Sequence, residues 1–129
     1  GPSEWGKVAV DAYYHWGADA VIAETNFGGA MVGHVIETVD SKVAFKEVKA
    51  SRGKVARAEP VASLYEQGKV KHVGTFAALE DQMCMMSTKG YVGKGSPDRV
   101  DALVWAITEL MLGQDGYTLE DLRAAYGNG

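Results

Sequence analysis

The sequence predicts an α/β domain, and three observations carry that expectation. Short apolar runs of strand length alternate along the chain with longer stretches of helical period, the order of an α/β sandwich. Glycine and small polar residues fall mostly between those stretches. The 129 residues, 47% hydrophobic and 23% charged, suit one globular domain and leave little room for a second.

Each element has its own signal. Ser3 is placed to cap a helix running to about Trp16, with Trp5, Val8, Ala9, Ala12, Tyr13 and Trp16 at helical spacing and Gly17 at its end. Asp19 to Thr25 reads as a buried strand, apolar with a polar end. After the turn Asn26-Phe27-Gly28-Gly29, a helix is expected from about Ala30 to Val39, with Met31, Val32, Val35 and Ile36 inward. Lys42 to Lys49 alternates apolar residues with lysines, as a strand with one wet face does. Past the loop Ser51-Arg52-Gly53, a helix with Pro60 in its first turn runs to Gln67, and Gly68 closes it. Val70 to Val73 reads as a short strand, and Phe76 to Met86 as a helix with Leu79, Met83 and Met86 inward. Glycines 90, 93 and 95 with Pro97 mark a loop. A helix capped by Ser96 or Asp98 then extends to about Leu112. Thr118 and Asp121 open a last short helix with Leu119, Leu122 and Tyr126.

Several functional classes are disfavoured. The longest apolar runs fall far short of a membrane span and no charged-then-apolar leader opens the sequence, so a soluble, non-secreted protein is expected. Gly1-Pro2 has the look of a protease remnant, so the natural chain is expected to extend upstream. The one cysteine, Cys84, excludes an internal disulfide and a cysteine zinc cage; among Met83, Met85 and Met86 it reads as core filler. His15, His34 and His72 lack metal-ligand spacing. Phe27-Gly28-Gly29-Ala30 precedes a helix, but no Walker-type lysine and Ser/Thr follow it.

The net charge of −4 argues against a general nucleic-acid coat, yet its distribution is uneven. Lys42, Lys46, Lys49, Arg52, Lys54 and Arg57 face only Glu47 between positions 42 and 57. That stretch reads as a solvated face or, beside a suitable site, as a phosphate track. Two acids stand where acids need a reason. Glu24 ends an otherwise apolar strand, the edge at which α/β sheets gather ligands. Asp101 lies in the first turns of an apolar helix, close to its buried face, and needs a cation or a donor there. Asp98 fits the plainer role of an acid favoured by the helix dipole. Carboxylates from separate elements, without His or Cys, suit hard cations such as Mg²⁺ and Mn²⁺.

Three stretches then become recognisable: VIAETNFGGAMVGHVI (21–36), KASRGKVARAEPVASLYEQGKVKHVGTFAALEDQM (49–83) and SPDRVDALVWAITEL (96–110). With the opening SEWGKVAVDAYYHWGAD, they resemble in unbroken order the C-terminal nuclease domain of terminase large subunits from phages, prophages and gene transfer agents. The resemblance implies an RNase H-like mixed sheet flanked by helices, over residues 3–112, with 113–129 a tail. It implies a metal-dependent endonuclease that cuts concatemeric double-stranded DNA, with an ATPase domain upstream in the same polypeptide. An acidic triad would hold two Mg²⁺ or Mn²⁺ ions, Glu24 and Asp101 being two of its members and Asp98 an accessory. Lys49, Arg52, Lys54 and Arg57 would hold DNA.

The family's first-strand Asp lies upstream of the SEW-type helix at which this sequence begins. The resemblance therefore implies a domain lacking its N-terminal strands and impaired as an enzyme. Implied partners are double-stranded DNA, the terminase small subunit and the portal protein, at the procapsid in the host cytoplasm, with no membrane. A resolvase-like RNase H nuclease, or a non-catalytic DNA- or portal-docking piece, are the other functions this sequence allows.

Overall fold

A computed structural model describes residues 1–25 and 29–112. The chain divides into two compact units, Gly1–Ala50 and Ser51–Gly129. The expected helix after Thr118 lies outside the described residues.

The first unit is a helix followed by a β–α–β turn of chain. Helix α1 spans Pro2–His15, with Pro in the first turn, where its missing N–H costs nothing. Ser3 therefore sits inside the helix and does not cap it. Gly17 ends it at φ 59°, with Ala18 N–H donating to Tyr13 O at 2.9 Å, the wrap-around bond that a left-handed residue permits. Strand β1 (Val21–Glu24) leads to α2 (Gly29–Val39) and then β2 (Phe45–Val48). The strands are parallel, pairing Val21 with Phe45 and Glu24 with Val48. Val10, Ile36 and Val43 form the core, lined by Ala9, Tyr13, Val21 and Phe45.

Helices α1 and α2 meet closely at Gly6, where a Cβ would lie 2.7 Å from Val35 Cγ1. The α1 period is as expected, but the buried face runs through Gly6 and Val10. Trp5, Val8 and Trp16 stay exposed, as does Met31 of α2. Regular β2 pairing begins only at Phe45, because Val43 instead closes the core from the preceding turn. That turn is tied to α1 through Asp40. Its carboxylate accepts from the Tyr14 hydroxyl at 2.6 Å and from the Lys42 N–H at 2.8 Å.

The second unit is mostly helical. Helix α3 spans Lys54–Glu66, so Pro60 is interior and not in the first turn. A proline there forfeits one backbone bond, and its burial beside Val61 and Leu64 offsets that loss. Gly68, at φ 71°, closes α3 as expected, with Lys69 N–H on Leu64 O at 2.9 Å. Residues 70–73 form no strand: Val70 packs on Leu64 and Leu112, while Val73 is 93% exposed. Helix α4 (Ala77–Cys84) is followed by a small antiparallel hairpin, β3 (Met86–Ser87) and β4 (Gly90–Tyr91), where a loop was expected.

Helix α5 (Asp98–Ile107) continues as a π-helical turn over Thr108–Leu112. Val61, Val100 and Val104 make the main core of this unit, with Leu79, Met83 and Met86 against it as expected. Cys84 is exposed, contrary to its reading as core filler. In so short a helix Leu79 and Met83 take the inward face, and the next residue turns about 100° away.

Candidate functional site

Helices α3 and α5 run side by side in the same direction, and their seam changes character along its length. Leu64 meets Leu112 at the C-terminal end, and Val61 meets Val100 and Val104 in the middle. At the N-terminal end the seam is ionic. Lys54 Nζ lies 2.6 Å from Asp101 Oδ2 and 3.4 Å from Ser96 Oγ, and Arg57 stacks its guanidinium 4.8 Å from the Trp105 ring centre. Lys54 and Arg57 are three apart on one helix, and Asp101 and Trp105 four apart on the other, so each pair shares a face.

The Asp101 side chain is 17% exposed and that of Lys54 46%. A carboxylate so far from water needs a cation, and the sequence supplies an ammonium. Asp98, in the same first turn, is exposed to solvent.

The basic stretch divides on inspection. Arg52 is exposed, Lys54 is engaged with Asp101, and Arg57 is 6% exposed. Arg57 therefore departs from the expectation of a surface track. Its side chain points back along α3, and Nε donates to Arg52 O at 3.1 Å, pinning the loop before the helix. Arg57 Nη1 is buried without a hydrogen-bond partner. In the first unit, Glu24 ends β1 and is exposed, ahead of the buried Thr25, and Lys49 follows β2 at the surface.

Two features were not read from the sequence. Gln82 of α4 accepts from the backbone N–H groups of Arg99 and Val100, at 3.1 and 3.3 Å, so it caps α5 in place of Ser96 or Asp98. Its place in LEDQM carries no local capping signal, because the helix it caps starts sixteen residues later. The second is a clasp on the α3–α4 connection. His72 Nε2 meets the Tyr65 hydroxyl and Nδ1 meets Glu80 Oε2, both at 2.7 Å. Burial, and then the Glu80 charge, raise the Tyr65 pKa. The clasp ties the connection to a side chain of each helix, Tyr65 of α3 and Glu80 of α4.

Residues 2–110 match the family described as the terminase RNase H-like domain. The chain belongs to that family. Neither the curated proteins nor the solved structures gave a match. The terminase match spans residues from both compact units and makes this a nuclease-type domain of RNase H-like class, with a short sheet.

A terminase nuclease domain of this class implies divalent metal. Asp101 would suit such an ion by chemistry, as a sequestered carboxylate that already faces the Lys54 ammonium. Among the described residues no three His, Cys, Asp or Glu side chains gather, so the fit is that of single carboxylates.

Proposed function

We propose that this chain is the nuclease domain of a DNA-packaging terminase and hydrolyses phosphodiester bonds in concatemeric double-stranded viral DNA with divalent metal. The observation that carries the reading is Asp101, a largely sequestered carboxylate at the ionic end of the α3–α5 seam, balanced by Lys54. Carboxylates are costly in such a place, and a cation-binding role gives one a reason to stay. Family membership supports the nuclease class.

By resemblance to the family, Glu24 and Asp101 would be metal-holding carboxylates, with Asp98 as accessory. The metal, when bound, activates water and offsets charge on the leaving oxygen. Lys54 keeps Asp101 oriented and neutralised while no dication is present. Lys49 and Arg52, both exposed, would take DNA phosphates, and Arg57 would hold the Arg52 loop in shape. The ATPase domain, the small subunit and the portal protein are the proposed partners, at the procapsid in the host cytoplasm.

Plasmid nicking with Mn²⁺ tests this directly. The proposal expects nicking that Asp101→Asn and Glu24→Ala each remove. DNA binding without metal-dependent nicking would leave a docking role instead.

A further inference from the structure

Helix α5 starts behind Pro97, a residue with no side-chain oxygen to offer its first amides. Such amides have no partner inside the helix, and an ordinary N-cap Ser or Asp would take those of the second and third positions. Here they belong to Arg99 and Val100, and both donate to Gln82 Oε1, at 3.1 and 3.3 Å. A carbonyl oxygen has two lone pairs and accepts both. Helix α4 thus supplies the cap that α5 lacks. Asp101 is the next residue, and its own N–H closes the first ordinary turn onto Pro97 O at 2.9 Å. The backbone that carries Asp101 is held from α4, and its carboxylate is held from α3 by Lys54.

We infer that Gln82 is a positioning residue for Asp101: by capping α5 from outside, it sets where that carboxylate meets its cation. The inference rests on the reading of Asp101 as a metal ligand. The residue type is informative as well. A glutamate at 82 would accept the same N–H groups more strongly. It would also bring a further negative charge to the turn that already holds Asp98 and Asp101. The amide caps without changing that charge balance.

The test is Mn²⁺ binding, followed by the electron paramagnetic resonance of free Mn²⁺. It is run on the wild type and on Gln82→Ala, Gln82→Glu and Asp101→Asn, at a temperature where circular dichroism shows each folded. Loss of a group that orients a metal ligand weakens metal affinity by about 10- to 100-fold. Gln82→Ala is expected near the lower end, about tenfold. Gln82→Glu keeps the cap and is expected to bind at least as tightly as wild type.

A folded Gln82→Ala protein that binds Mn²⁺ like wild type overturns the inference and leaves Gln82 a cap for stability alone. Should Gln82→Ala fail to fold, Gln82→Glu decides, and weaker binding than wild type overturns the inference. Mn²⁺ binding that Asp101→Asn does not weaken overturns the ligand reading itself. That outcome is distinct from an unchanged Gln82→Ala beside a weakened Asp101→Asn.

Discussion

Replacing Lys54 by methionine keeps the aliphatic stem and removes the ammonium that faces Asp101 at 2.6 Å. Exposed ion pairs contribute about 0–1 kcal/mol, whereas stripping one partner from a buried pair costs about 3–5 kcal/mol. This pair lies between those limits. The Asp101 side chain is 17% exposed and sits nearer the buried one, while Lys54 at 46% sits nearer the exposed one. Lys54→Met should therefore cost about 2 kcal/mol, roughly thirtyfold in the folding equilibrium. Asp101→Asn should cost less, about 1 kcal/mol, because Lys54 can turn its charge to water. The double variant should be less destabilised than the sum, with a coupling of about 1–2 kcal/mol. Urea unfolding of the four proteins measures this, provided the slopes agree. Costs that simply add would show that the contact contributes nothing and would remove the argument that Asp101 is held in place by its cation.

Other expectations follow from individual contacts. The Tyr14 hydroxyl bond, aided by the Lys42 N–H, holds the Asp40 carboxyl below 3.8, and the same bond to Asp40 raises Tyr14 above 10.0. The Asp40 contribution is present above 3.8 and is lost as pH falls through its lowered pKa. The Tyr14 contribution is present below 10.0 and is lost as pH rises through its raised one. Tyr14→Phe should thus be less stable than wild type near neutrality, with the gap closing at both extremes in pH-dependent thermal melts; a constant gap would contradict the contact. In DNA binding against salt, Arg52→Ala should flatten the slope by about 0.9, one phosphate contact. Arg57→Met should leave that slope unchanged, because Arg57 is in the core. A flattened slope for Arg57→Met would return it to the DNA track.

The sequence signals that worked were local and periodic. Gly17 and Gly68 end α1 and α3 because a left-handed residue is needed there, and glycine takes it without strain. Asp101 was legible because an acid beside an apolar stripe demands a partner, although nothing in the spacing named Lys54. What failed depended on distant packing. The α1 period did not say which stripe would face α2, and the Gly6 approach chose the face of Val10. Arg57 looked like one more cation in a basic run, until its i, i+3 relation to Lys54 carried it into the seam against Trp105. Gln82 was out of reach of any local rule, since its two partners lie seventeen and eighteen residues on.

On the proposed function, Glu24 and Asp101 are carboxylates of a metal-dependent DNA nuclease. Mn²⁺-dependent plasmid nicking by the chain and by its Glu24→Ala and Asp101→Asn variants tests this most directly, with circular dichroism confirming that all three fold. Nicking that requires Mn²⁺ and disappears in both variants is expected. Nicking that persists in either folded variant at the parent's rate would contradict it.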